Sequence, residues 1–178
     1  MSVEEIYDLY YIKGTRARAI LERHSRSVAD LALQLNRGRL DDNLVEQAAM
    51  LHDIGIFLTD APGIDCHGSE PYIRHGILGA DLLRRHGFAE EIARVAERHT
   101  GAGIFPDDIA ALGLPLPCDR VLYPVEPLER LICYADKFYS KSGTMERKSP
   151  ERVRASMLRH SEATLERFEA LAREFPLE

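Results

Sequence analysis

The stretch Ala48-Ala49-Met50-Leu51-His52-Asp53-Ile54-Gly55 decides how this chain is interpreted. An apolar, helix-like run ends in a histidine and an aspartate, and a glycine follows two residues later. A carboxylate in apolar surroundings is costly unless a metal ion or a hydrogen-bonding partner compensates it. Imidazole and carboxylate are both ligands of first-row metal ions. His52 and Asp53 therefore predict half of a metal site, and the other ligands must come from other parts of the chain.

Helical patterns extend outward from this stretch in both directions. Apolar residues recur every three or four positions over residues 15–36, and Asp41-Asp42-Asn43 is typical of a helix start. Prolines and glycines mark residues 57–74 and 104–127 as loops, the second with at most one short helix near 107–112. We predict a single all-α domain over residues 1–178, a bundle of six or seven helices at about 1–14, 15–36, 42–51, 75–85, 89–99, 128–140 and 149–173.

Six polar residues lie on, or at the ends of, the apolar faces of these helices: His24, His52, Asp53, His75, His99 and Asp136. Four imidazoles and two carboxylates are more than a small core needs, except to bind metal. They form the nitrogen and oxygen ligand set of iron, manganese, zinc or a similar ion. Two ions fit the number of ligands, because one carboxylate, that of Asp53, can bridge through its two oxygens. His160 recurs with apolar residues on the last helix, so we assign it to packing.

Composition excludes several classes of protein. Lys and Arg number 23 against 29 Asp and Glu, and this net charge of −6 argues against a protein that coats nucleic acid. No apolar run is long enough for a membrane span, and the acidic N-terminus lacks the layout of a signal peptide. Cys66, Cys118 and Cys133 are odd in number and form no CxxC pair, which favours reduced thiols and a cytoplasmic protein.

The order His24, His52-Asp53, Asp136 resembles the HD-domain superfamily of metal-dependent phosphohydrolases, over a metal-binding core of about residues 20–140. His75 within HGILGA and His99 within ERHTGAG are similar to the six-ligand subgroup that holds two metals. The likeness is strongest to small uncharacterised proteins with the HDIG motif. The Gly-Tyr-Pro signature of the cyclic-di-GMP phosphodiesterases is absent after the histidine run.

This resemblance implies a helical HD-domain bundle with two divalent transition-metal ions. His24, His52, Asp53 and Asp136 would hold one ion, while His75 and His99 would hold the second with Asp53 as the bridge. Iron or manganese is favoured, and zinc, cobalt or nickel is compatible with the same ligands. The expected reaction is hydrolysis of a phosphoester or phosphoanhydride bond in a small phosphorylated molecule, a nucleotide foremost. Further candidates are Asp53 and His67 as catalytic groups, with His67 the acid for the leaving group, and Lys137, Lys141 and Arg98 as contacts to substrate phosphate.

Other readings stay open at this point. The same six ligands support a di-iron oxygenase, because ligand identity does not fix the reaction. A non-catalytic module that senses a metal or a nucleotide is a third reading, and an ordinary bundle with packing histidines is a fourth. A homo-oligomer is compatible with the amphipathic last helix.

Overall fold

The computed structural model describes residues 1–177, and nine α-helices carry the architecture of this part of the chain. Two very short strands form one antiparallel pair in the loop between the third and fourth helices. The elements are α1 (Val3–Tyr10), α2 (Arg16–Asn36), α3 (Asp42–Leu51), β1 (Asp60–Ala61), β2 (Cys66–His67), α4 (His75–Arg85), α5 (Glu90–Arg98), α6 (Pro106–Leu112), α7 (Pro127–Asp136), α8 (Pro150–His160) and α9 (Glu162–Glu174).

The predicted all-α class is confirmed, but the helices are more numerous and shorter than expected. The single helix predicted at 149–173 is two helices, α8 and α9. Ser161 separates them because its backbone is extended, with φ of −172°, and its hydroxyl accepts a hydrogen bond from the Thr164 amide. A serine in this arrangement starts a new helix. The helix predicted at 128–140 ends earlier, at Asp136.

The strand pair was not foreseen from the sequence. Asp60 pairs with His67, and Ala61 pairs with Cys66, so each strand has only two residues. A strand of this length has no alternating pattern to detect. The remainder of loop 57–74 contains three short 3-10 turns.

Side-chain caps fix where the long helices begin. Thr15, Asp41 and Ser149 each accept a hydrogen bond from the backbone amide three residues later. Such a cap satisfies one of the amides that a helix start leaves without a partner. The Asp41 cap is the start signal that the sequence predicted, and it places His52 at the C-terminal end of α3.

Packing in the core places the ends of several helices beside the middle of α2. Helix α2 packs against α3 and α7, and α5 packs against α3, α4 and α7. Helix α9 covers the outer side of α7, where the rings of Tyr134 and Phe168 lie 5.4 Å apart between centroids. The carboxyl ends of α3, α5 and α7 are thereby brought to one place.

In the described part of the chain, no helix combines the length and the apolar composition that crossing a bilayer would require. The three cysteines are free thiols, with Cys66 and Cys133 buried and Cys118 exposed.

Candidate metal centre

All six predicted ligands come together in the core. His24 projects from the middle of α2, while the others occupy helix ends: His52 and Asp53 follow α3, His75 begins α4, His99 follows α5 and Asp136 ends α7. Each of these residues is at most 7% exposed. Their ligand atoms form two groups, each close enough to hold a metal ion: His24, His52, Asp53 and Asp136, and Asp53, His75 and His99.

Asp53 belongs to both groups through different oxygens. Its Oδ2 lies 3.1 Å from Nε2 of His24 and 3.1 Å from Nε2 of His52. Its Oδ1 lies 3.4 Å from Nε2 of His75 and 3.4 Å from Nε2 of His99. Asp136 completes the first group, with Oδ1 2.9 Å from Nε2 of His24. The carboxylate of Asp53 therefore has the position of a bridge.

Backbone carbonyls orient three of the imidazoles. The Nδ1–H groups of His52, His75 and His99 donate to the carbonyl oxygens of the residues three positions earlier, at 2.6, 2.7 and 2.8 Å. A carbonyl only accepts, so the proton is on Nδ1 and the lone pair of a neutral ring is on Nε2. Metal-bound histidines are commonly oriented in this way by a second hydrogen bond.

In the second group, Asp53, His75 and His99, the atoms that face one another are all hydrogen-bond acceptors. Nε2 of His75 lies 3.0 Å from Nε2 of His99. Burial lowers the pKa of His75 to about 3 and also lowers the pKa of His99, so both rings are neutral. Oδ1 of Asp53 accepts no hydrogen bond from the described residues. Ligands about 2.1 Å from one ion lie about 3 Å apart, so a transition-metal ion fits these three atoms.

Two ammonium groups lie directly against the carboxylates of the cluster. Lys141 Nζ lies 2.6 Å from Oδ2 of Asp53, and Lys137 Nζ lies 2.7 Å from Oδ2 of Asp136. Although burial opposes the charged form, these lysines and the neighbouring histidines lower the pKa of both carboxyl groups well below the usual range. Burial likewise opposes protonation of His52, but Asp53 and Asp136 raise its pKa to about 9. Two lysines and His52 thus place positive charge beside two ionised carboxylates.

Glycines let the two groups approach each other. A Cβ at Gly55 would lie 2.3 Å from the His75 carbonyl oxygen and 2.4 Å from the Gly79 nitrogen. A Cβ at Gly76 would lie 2.7 Å from the Ala96 carbonyl oxygen. Without these side chains, the segment after Asp53 packs directly on α4, and α4 packs directly on α5. The glycines therefore bring Asp53, His75 and His99 together.

A cavity of about 500 Å³ adjoins the cluster. Asp136, Lys137, Lys141 and Lys148 are among the residues that line it. Besides its carboxylate partner, Lys137 Nζ donates to the His99 carbonyl oxygen at 3.0 Å. Two of the three predicted substrate contacts, Lys137 and Lys141, therefore lie in the cavity beside the candidate ligands.

Arg98 lies elsewhere. Its guanidinium donates to the Glu129 carboxylate at 3.0 Å and to the Val121 carbonyl oxygen at 3.2 Å, and its side chain is 15% exposed. Glu129 is buried and also accepts from Arg94. Arg98 thus joins α5 to α7, and it is not among the residues that line the cavity beside the cluster.

His67 also lies outside this cavity. It is in β2, its side chain is 68% exposed, and its Nε2 is 3.3 Å from Oδ1 of Asp65. It lines a different cleft, together with Tyr10 and Phe57. The structure therefore places His67 in a different cleft from the residues that line the cavity beside the cluster.

Lys148, Tyr72 and His160 are among the cavity residues that the sequence analysis did not predict. Lys148 follows a loop that carries no periodic signal, and Tyr72, whose ring stacks on His75 at 4.6 Å between centroids, precedes α4. The assignment of His160 to packing is wrong, because this residue is exposed and lines the cavity. The break between α8 and α9 turns it away from the core, and the serine that follows it was the available signal.

Residues 21–141 match the family model described as HD domain. An uncharacterised protein of Methanocaldococcus jannaschii is 39% identical over 134 residues, which cover 72% of this chain and 70% of that protein. A protein of Thermoplasma volcanium named tRNA (cytidine(56)-2′-O)-methyltransferase is 36% identical over 134 residues, or 75% of this chain. A protein of the same name from Picrophilus torridus is 34% identical over 133 residues, or 74% of this chain. The aligned part covers only 35% of each of these two longer proteins. No solved structure matches.

Proposed function

The chain belongs to the HD domain family, and from this premise we propose that it is a metal-dependent hydrolase of phosphoester or phosphoanhydride bonds. Its substrate is a small phosphorylated molecule, a nucleotide foremost. One observation carries the proposal: a carboxylate shared by two groups of buried ligands lies beside a cavity with three lysines. The ligands suit a transition metal, and the lysines suit the phosphate of a substrate.

The proposed centre would hold two ions, with iron or manganese favoured. His24, His52, Asp53 and Asp136 would hold one ion, and His75 and His99 would hold the other together with Asp53. Bound divalent ions lower the pKa of a water molecule and neutralise charge on the phosphoryl oxygens.

Lys141 changes its partner in this proposal. Its ammonium group now neutralises Asp53, at 2.6 Å, and its Nζ lies 5.9 Å from the centre of the Tyr72 ring in the cavity wall. A divalent ion held by Asp53 would take over this neutralising role. Lys141 would then be available, together with Lys148, to bind and orient a substrate phosphate in the cavity that both residues line.

A panel of phosphoesters tests the proposal. The wild-type protein, loaded anaerobically with manganese or iron, is assayed on nucleotides, dinucleotides, cyclic phosphates and sugar phosphates. We expect His52→Ala to lose at least about a hundredfold in rate, because it removes a ligand of the centre. His67→Ala is the matched control and keeps full activity, because His67 lies outside the cavity. A His52→Ala protein that is folded and fully active contradicts the proposal.

The same experiment separates the alternatives. An oxygenase on these ligands consumes oxygen when loaded with iron and hydrolyses none of the panel. A sensing module binds a panel member tightly without turnover. Two relatives carry the name of a tRNA methyltransferase, so a tRNA transcript is included in the panel as a polymeric phosphodiester. Hydrolysis of that transcript alone would move the substrate from a small molecule to RNA.

A further inference from the structure

A second cavity, of about 480 Å³, lies next to the one beside the metal centre. Gly101 and His160 line both cavities. A Cβ at Gly101 would meet no atom within 4 Å, so the space in front of this residue is open. The two cavities are thus neighbours that share this part of their walls.

The walls of the second cavity differ in character from those of the first. Apolar residues predominate in the second cavity. Ile73 lies just before α4, Ile104 lies between α5 and α6, and Leu112 and Leu114 lie at the end of α6 and just after it. No lysine or arginine lines it among the residues that the structure describes. Sites for organic ligands are typically of this kind, apolar with a few polar groups that fix orientation.

The polar groups of this cavity suit a ring that carries hydrogen-bonding atoms. The hydroxyl oxygens of Ser161 and Thr164 lie 2.8 Å apart on its wall. The carboxylate of Asp108 also faces it, while Arg167 holds that carboxylate at 2.6 Å. These groups already have partners within the protein, but two hydroxyls and a carboxylate keep acceptor capacity for hydrogen-bond donors on such a ring.

We propose that this second cavity binds the nucleobase of the substrate, while the phosphate lies over the lysines of the first cavity. This inference rests on the proposed function for the identity of the phosphate site. It adds a subsite that selects nucleotides over sugar phosphates. His160, Ser161 and Thr164 follow the segment that matches the HD family, so the α8–α9 hairpin adds one side of the base-binding cavity to walls that lie within that segment.

Helix α6 provides a variant that fills the cavity and a matched control. Ala111 and Ala110 are adjacent, exposed residues of the same helix, but only Ala111 lines the cavity. Ala111→Trp puts a large ring into the base-binding space. Ala110→Trp adds the same ring on a part of α6 that does not line it. Melting temperatures of the two variants within a few degrees of each other show that both are folded.

The probes are non-hydrolysable analogues, so that binding is measured without turnover. The protein as purified is titrated with the methylene phosphonate analogues of the four nucleoside 5′-monophosphates and of ribose 5-phosphate. We expect at least one nucleotide analogue to bind about tenfold or more tightly than the ribose analogue, because the base buries apolar area. Ala111→Trp should reduce this ratio to about twofold or less, and Ala110→Trp should keep it.

Two results overturn the subsite: no nucleotide analogue binds more tightly than the ribose analogue, or the preference survives in Ala111→Trp. These results are independent of the hydrolase assay. A protein that prefers nucleotide analogues but hydrolyses no phosphoester keeps the subsite and loses the proposed function. A protein that hydrolyses phosphoesters without this preference keeps the proposed function and loses the subsite.

Discussion

Replacing Gly55 with alanine is expected to separate the two halves of the metal centre. The new Cβ would lie 2.3 Å from the His75 carbonyl oxygen and 2.4 Å from the Gly79 nitrogen. The shorter distance falls about 1 Å below the 3.4 Å at which ordinary contact begins. Both neighbouring atoms belong to the backbone of α4, so neither can rotate away. The helix itself must move relative to Asp53.

The expected displacement is large on the scale of metal coordination. Oδ1 of Asp53 now lies 3.4 Å from Nε2 of His75. Two ligands at about 2.1 Å from one ion cannot be more than about 4.2 Å apart, so a shift of about 1 Å exhausts this range. The other group draws on α2, α3 and α7 and does not include α4. Gly55→Ala should therefore lose the second ion, keep the first, and lower the free energy of unfolding by about 1–3 kcal/mol through overpacking.

Calorimetric titration with Mn²⁺ and urea unfolding measure both effects. The matched control is Gly63→Ala, because a Cβ at Gly63 would meet no atom within 4 Å. We expect two binding events in the control and one in Gly55→Ala. A Gly55→Ala protein with the stoichiometry and stability of the control would refute the reasoning.

Three further changes probe the charges around the site. Lys141→Met removes the cation that lies 2.6 Å from Asp53, so urea unfolding in the presence of a chelator should show a free energy of unfolding lower by about 3 kcal/mol. Saturating Mn²⁺ should remove most of this loss of stability. An equal loss of stability with chelator and with Mn²⁺ would contradict the exchange of Lys141 for metal. The pKa of His52 is about 9 in the metal-free protein, against about 6.5 when unfolded. Its protonation therefore stabilises the metal-free fold fully below about pH 6.5, and this stabilisation is lost as the pH rises through about 9. Metal must displace that proton, so the affinity of the first group for metal should rise about tenfold per pH unit between about pH 6.5 and 9 and then level off. Competition with a chelator measures this affinity, and an affinity that does not change with pH would contradict the prediction. Arg98→Ala breaks the ion pair with buried Glu129 and should lower the free energy of unfolding by about 2 kcal/mol, with metal content and KM unchanged. A raised KM at unchanged stability would instead identify Arg98 as a substrate contact.

The sequence was most informative at the six polar residues of the cluster, each of which interrupted or ended an apolar helix face. The histidines and aspartates of the cluster stood out for this reason, and the helices that carry them were predicted close to their observed bounds. Gly55 stood out in the sequence only as the glycine after the dipeptide, and its close approach to the backbone of α4 is seen only in three dimensions. Local pattern indicates burial, and it does not say which elements meet.

The residues that line the cavities were harder to predict. His67 and His160 are both exposed, yet His160 lines the cavity beside the cluster and His67 lines another cleft. Their positions depend on how loop 57–74 folds back and on the break at Ser161. Arg98 follows the regular pattern of a helix surface, and only the structure shows that buried Glu129 binds it. Charge near a ligand in sequence is therefore weak evidence for a role in substrate binding.

The most direct test of the central claim is the metal content of the purified protein. Elemental mass spectrometry is performed on wild-type protein and His75→Ala, purified without chelator and without nickel affinity resin. We predict close to two transition-metal ions per wild-type chain and close to one in His75→Ala, because only the second group contains His75. One ion per chain in both proteins, or none in either, would contradict the two-ion centre.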